Sequence, residues 1–221
     1  MKKRILLSLA AMLLGCAAHP ERIVWSLDAM DGIGGHRTEI LGDPELVRTP
    51  AGPAVMFDGE GDRLLVHGNP VFGAEEFTIE IIFMPNDAYP ANIEPRFFHI
   101  EDPVNADRRI TVELRLNDRK QWYLDAFIKS EISKYTLVDD KLTHPVAEWA
   151  HAAITYKETV FTSYVNGRKE LSGEVRYLPL SEQAQTSIGA RMNSVHWFNG
   201  AISRIRVTHK ALMPDEFLKV Q

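Results

Sequence analysis

WAHAAITYKETVFTSYVNGRKELSG, residues 149–173, decides the fold. It reads as an alternating apolar-polar strand, a polar turn at Lys157-Glu158-Thr159, a second strand, the pair Asn166-Gly167 and a third strand. Asn-Gly is the preferred pair for a two-residue hairpin turn, because both central residues must take positive φ. Three short strands joined by tight turns form a meander, which buries its apolar face only against a second layer.

The same pattern continues in both directions. Strands are expected over 22–27, 54–57, 63–66, 77–84, 96–101, 110–116, 122–129, 186–192 and 200–208, separated by segments rich in Asp, Asn, Gly and Pro. Glycines at 59, 61 and 167 allow the turns. Helical periodicity is nearly absent, apart from a short helix starting at Pro214-Asp215-Glu216. Many short strands punctuated by turn residues indicate an all-β jelly-roll sandwich of two antiparallel sheets. Its expected core includes Phe57, Phe77, Ile79, Ile81, Ile154, Val165, Ile188, Ile202 and Ile205. Trp149 reads as a packed aromatic, whereas Trp197 and Phe198 beside Asn199-Gly200 read as loop or rim residues.

The N-terminus carries a different signal. Lys2, Lys3 and Arg4 precede an apolar run over 5–14 broken only by Ser8, too short for a span of about 20 residues and suited to a secretory signal. Leu13-Leu14-Gly15-Cys16 resembles the bacterial lipobox, which implies cleavage before Cys16 and lipidation of that cysteine. Cys16 is the single cysteine of the chain, so an internal disulfide is excluded. The expected organisation is a signal peptide over 1–15, a lipidated Cys16 with a short tether over 16–21, and one domain over 22–221. Ala17, where an Asp would mark inner-membrane retention, resembles the pattern of lipoproteins sorted to the bacterial outer membrane. A lipid anchor makes the membrane one partner. The net charge of −5, with Lys and Arg scattered, argues against nucleic acid as another.

Six segments carry a family resemblance. They are AVMFDGEGDRLLV, FTIEIIFMP, WAHAAITY, SYVNG, TSIGARMN and FNGAISRIRVTHKALMPDEF. In this order they resemble the laminin G-like domains of the concanavalin A-like lectin/glucanase superfamily, found in bacterial surface proteins. The resemblance implies a jelly roll whose members include lectins, adhesion modules, glycoside hydrolases and polysaccharide lyases. The matching residues define the fold and leave the activity open.

Candidate site residues follow from strand alternation. His99 and Glu101 share one side of FHIE, and Glu113 and Arg115 one side of ITVELRL. Tyr123, Asp125 and Lys129 share one side of WYLDAFIK. His151 alternates against Ile154, Tyr164 against Val165 and Arg191 against Ile188. If these strands share one sheet, the ten residues form a polar face for a glycan or polysaccharide; the alternative is a solvated face of cross-strand salt bridges.

An enzyme would use the same face. Glu113-Leu114-Arg115 faintly resembles the strand motif of jelly-roll alginate lyases, which implies Arg115 as carboxylate neutraliser and His151 and Tyr164 as proton carriers. Other motifs of those lyases are missing. A hydrolase would need two carboxylates, from Glu101, Glu113 and Asp125. A protein-binding adhesion module would use the loops 85–95 or 102–107. No cofactor is expected. A structural Ca²⁺ held by Asp58 and Asp62 competes with an Asx turn at the same residues. The eight histidines show no zinc spacing.

Overall fold

The computed structural model describes residues 22–220. The signal, tether and Cys16 expected over 1–21 lie outside the described residues. In chain order the strands are β1 (Arg22–Ser26), β2 (Thr38–Leu41), β3 (Glu45–Thr49), β4 (Gly52–Asp58), β5 (Arg63–Val66), β6 (Phe77–Pro85), β7 (Arg96–Glu101) and β8 (Arg109–Leu116). They continue with β9 (Gln121–Ser130), β10 (Ser133–Val138), β11 (His144–Pro145), β12 (Ala150–Lys157), β13 (Val160–Val165), β14 (Arg168–Glu174), β15 (Gln185–Ile188) and β16 (Asn199–Thr208). They form two antiparallel eight-stranded sheets. Sheet A runs β14-β13-β12-β6-β16-β4-β3, with β1 beside β16; sheet B runs β10-β9-β8-β7-β15-β5-β2, with β11 beside β9.

The meander forms as the sequence requires. β12, β13 and β14 pair in succession, and Asn166 and Gly167 take φ of 49° and 76°. In β6 the period of two sends Phe77, Ile79, Ile81 and Phe83 into the core and Thr78 and Glu80 to the opposite face. Every expected core residue is buried between the sheets. The centre is aromatic: Phe83 lies 4.6 Å from Phe97 and 5.2 Å from Trp122 between ring centroids. Phe198, expected at the rim, is also there, 5.5 Å from Phe97 and fully buried. Trp149, expected to be packed, is only half-buried and walls a hollow on the outer face of sheet A with His151 and Phe217.

Strands β2, β3, β10 and β11 are not marked by the sequence pattern. All but β11 lie at or beside sheet edges and expose half or more of their residues, so no apolar alternation betrays them. β15 stops at Ile188, short of the expected 192, because Gly189 turns the chain with φ of 88°. A Cβ there would lie 2.4 Å from the Phe57 ring. The turn between β4 and β5 is an Asx arrangement. Asp58 Oδ1 accepts the Glu60 and Gly61 amides, and the Asp62 carboxylate accepts the Asp43 and Asp58 amides. Gly59 is left-handed in that turn, whereas Gly61 is not.

The outer face of sheet A is covered by the chain's own C-terminal segment. The fully buried Glu80 carboxylate accepts from His151 Nε2 at 3.0 Å and from the Leu218 amide at 2.7 Å, and pairs with Arg206. Arg206 also donates to the Glu216 carbonyl at 2.8 Å. Phe217 packs 5.6 Å from the His151 ring and 5.1 Å from Tyr164. Both Glu80 oxygens are thus answered, while His151 Nδ1 is not, and the buried group holds residues 212–218 against the sheet. Substituting His151→Ala is expected to cost about 1–3 kcal/mol, the penalty of leaving a buried carboxylate oxygen under-bonded. Urea unfolding measures the loss, and amide exchange is expected to quicken first in the C-terminal segment.

Candidate functional site

Sheet B presents a different outer face. Inward alternation of Ile110, Val112, Leu114 and Leu116 on β8, and of Trp122, Leu124, Ala126 and Ile128 on β9, leaves their neighbours facing out. Over the middle of this face lies a hollow of about 240 Å³ lined by Arg96, Arg109, Thr111, Glu113, Arg115, Asp125, Phe127, Thr136 and Arg191. Glu113 and Asp125 stand directly opposite each other in register, as do Arg115 and Tyr123, and Arg109 and Lys129.

Two ion pairs build the walls. Arg115 Nε and Nη2 both lie 2.7 Å from Asp125 Oδ2, and Arg115 also pairs with Glu94. Arg96 Nε lies 2.6 Å from Glu113 Oε2. Arg96 Nη1, shielded from solvent, has no hydrogen-bond partner among the described residues. Arg96 is 9%, Glu113 6% and Asp125 2% exposed. Charged groups sunk this far on the outer face of a sheet are unusual, because desolvation costs more than an exposed pair returns. Burial raises the pKa of Glu113 and of Asp125, even beside their guanidinium partners. Arg109 stacks with its guanidinium carbon 5.3 Å from the Phe127 centroid.

The loop after β15 forms one side of the basin. His99 Nδ1 accepts the Met192 amide at 3.1 Å, so its proton sits on Nε2, which faces Glu101 Oε2 at 3.3 Å. Arg63 donates to the Met192 carbonyl and to Ser194, and the Arg96 amide donates to the His196 carbonyl. These bonds hold Arg191 over the sheet. Burial lowers the His99 pKa and keeps the imidazole neutral. Against its own burial, Glu101 is held below its ordinary value by His99, Arg109 and Arg191.

The structure therefore separates the expected residues. Glu113, Arg115, Asp125 and Arg191 line the basin. His99 and Glu101 lie on the same face, with His99 only 1% exposed beneath the loop. Tyr123 and Lys129 flank the basin along β9, where Lys129 pairs with Asp107. His151 and Tyr164 do not join them: they belong to β12 and β13 of sheet A, beneath the C-terminal segment. A lyase centre combining Arg115, His151 and Tyr164 is not formed, since the thickness of the sandwich lies between them. Both hydrolase carboxylates in the basin, Glu113 and Asp125, are tied to guanidiniums. Among the described residues no group of His, Asp or Glu is arranged to hold a metal ion.

Arg96, Arg109 and Phe127 were not among the expected residues. Arg109 precedes the expected strand by one position but is in phase with Glu113, and Phe127 is in phase with Asp125. Arg96 is out of phase. A β-bulge lets Arg96 pair with Glu113 while Phe98 pairs with Val112, so Phe97 is the extra residue.

A laminin G-type model of the concanavalin A-like lectin/glucanases superfamily matches residues 58–217, and the chain belongs to that superfamily. No curated protein matches the chain. Among solved structures it is similar to domain 4 of AbnA, a GH43 extracellular arabinanase from Geobacillus stearothermophilus, in complex with arabinotriose. That likeness has a TM-score of 0.64 at 16% identity and covers 88% of this chain and 94% of that one. It is also similar to the binding domain of botulinum neurotoxin DC in complex with SialylT, with a TM-score of 0.61 at 14% identity over 89% of this chain and 50% of that one. The same neurotoxin domain in complex with rat synaptotagmin II gives a TM-score of 0.61 at 15% identity, with 89% and 50% covered. At these identities the likeness is one of fold.

The basin's electrostatics carry a direct test. In a carboxyl NMR titration Glu113 and Asp125 are expected to titrate above their ordinary values of 4.5 and 3.8, and Glu101 below 4.5. For Glu113 and Asp125, whose folded values are raised, the stability contribution is complete below the unfolded pKa and is lost as pH rises through the folded one. For Glu101, whose folded value is lowered, it is present above the unfolded pKa and lost as pH falls through the folded one.

Proposed function

We propose that this domain is a glycan-binding module that holds its ligand on the outer face of sheet B, over the Arg-lined basin. One observation carries the reading: the Arg96–Glu113 and Arg115–Asp125 ion pairs are sunk into an outer sheet face beneath an open hollow, with Arg96 Nη1 shielded from solvent and without a hydrogen-bond partner among the described residues. Buried polar atoms are nearly always partnered, so a charged cluster of this kind at the wall of a hollow favours a polar ligand. A sugar offers hydroxyls that both donate and accept, and the half-buried Phe127 offers a ring face beside them. The arabinotriose and SialylT complexes of the similar structures support a saccharide as the ligand class.

Thr136 gives a clean test, because it lines the basin from the exposed strand β10. The detergent-solubilised full chain is expected to be retained on an immobilised panel of polysaccharides, and Thr136→Trp, which fills the basin without touching the core, is expected to abolish retention. Retention unaffected by that substitution would remove the basin as the site. Binding to surface protein but to no glycan would shift the reading to an adhesion module.

We also infer that residues 1–15 act as an export signal and that Cys16 carries the lipid, which would tether the basin close to a bacterial outer membrane. Cys16→Ser is expected to move the protein from the membrane fraction to the soluble fraction; an unchanged distribution would sink the anchor.

A further inference from the structure

We propose that the glycan is acidic: a carboxylate or sulfate ester on a sugar ring is clamped between the Arg109 and Arg191 guanidiniums, at the end of the basin away from Glu113. This deepens the glycan-binding reading and rests on it. Four arginines, Arg96, Arg109, Arg115 and Arg191, line the basin with Glu113 and Asp125, while Glu94 and Glu101 lie beside them at its margin. Arg115 is committed to Asp125 and Glu94, and Arg96 to Glu113 and Glu94. Among the described residues Arg109 and Arg191 make no ion pair. Arg109 spends one donor on the Ala106 carbonyl at 2.6 Å and rests on Phe127.

These two guanidiniums line the same hollow, and Glu101, opposite Arg109 in register, offsets part of their charge without forming an ion pair with either. Burial first, and then the nearby Arg191, lower the Arg109 pKa. Like charges held together in a half-buried hollow are costly unless an anion enters between them, and a guanidinium fork matches the two oxygens of a carboxylate or sulfate. Arg96, nine-tenths buried in the wall with Nη1 unpartnered, adds positive potential at the same hollow. The opposite end prefers a neutral group. Glu113 stands four residues from Arg109 on β8, about 13 Å away at ~3.3 Å per residue, and its carboxylate, like that of Asp125 opposite it, accepts from a hydroxyl and repels a second anion. The basin thus orients a saccharide, acid group toward Arg109 and Arg191 and hydroxyls toward Glu113.

Calorimetric titration of the detergent-solubilised full chain tests this with four probes. These are an oligogalacturonate, the same oligosaccharide with its carboxyls reduced to alcohols, a sulfated neutral oligosaccharide and sodium sulfate alone. The uronate or the sulfated sugar is expected to bind at least about tenfold more tightly than the reduced one, the scale of a charge-assisted hydrogen bond. Arg109→Gln and Arg191→Gln are each expected to remove most of that preference, Arg109→Lys to restore part of it, and Arg168→Gln on the exposed strand β14 to leave it intact. Thermal unfolding of each variant separates lost binding from lost folding, and the comparison of acid with alcohol needs no variant. Equal binding of the acidic and reduced sugars would overturn the acidic ligand and leave the glycan-binding reading standing. Stabilisation by sodium sulfate with no sugar bound would overturn the glycan and leave an anion site. Silence toward all four would overturn both.

Discussion

One inserted residue in β7 links the core to the outer face. Phe97 has no partner of its own on β8, so it turns inward beside Phe98 and stacks on Phe83 at 4.6 Å. The same insertion shifts Arg96 to the outside, against Glu113. Regular alternation through this strand would have buried the guanidinium in the aromatic core and left the phenyl ring in water. Both errors are costly: an unpaired charge in an apolar interior exceeds any packing gain, and a large ring lost from a core costs about 3–5 kcal/mol. The bulge avoids both, which is why it sits under the centre of the basin.

The two outer faces of the sandwich solve the same problem differently. Sheet A carries Glu80, His151 and Arg206 outward and closes over them with the chain's own residues 212–218, so each carboxylate oxygen is answered internally. Sheet B carries Arg96, Glu113, Arg115 and Asp125 outward and closes over them only in part, with the loop that bears Arg191. Buried charge on the first face is a structural clasp. Comparable charge on the second face has a hollow above it that no described segment of the chain fills. That difference supports the binding face proposed on sheet B.

Membership of the concanavalin A-like lectin/glucanases superfamily explains the scaffold and leaves the chemistry to the face. A jelly roll supplies a stiff curved sheet whose outward side chains are free to vary while the inward ones are held by packing. Here the outward positions carry guanidiniums, with a phenyl ring and paired carboxylates between them. In this set the carboxylates are engaged by arginines, and His99 Nδ1 accepts the Met192 amide.

The sequence by itself determined the sandwich. Alternation in FTIEIIFMP, ITVELRL and WYLDAFIK, together with the Asn166-Gly167 turn, specifies which residues face inward, because burial selects one face of each strand at a period of two. The same logic revealed Glu113, Arg115 and Asp125, which are in phase on neighbouring strands. What the sequence pattern could not show was which sheet each strand joins, since pairing between β6 and β12, or β7 and β15, is set by long-range closure and not by any local signal. For that reason His151 and Tyr164, polar and correctly outward, were grouped with residues that lie on the far side of the core. Arg96 was invisible for a related reason: a bulge breaks the period on which alternation rests, and only the packing of Phe97 against Phe83 reveals it.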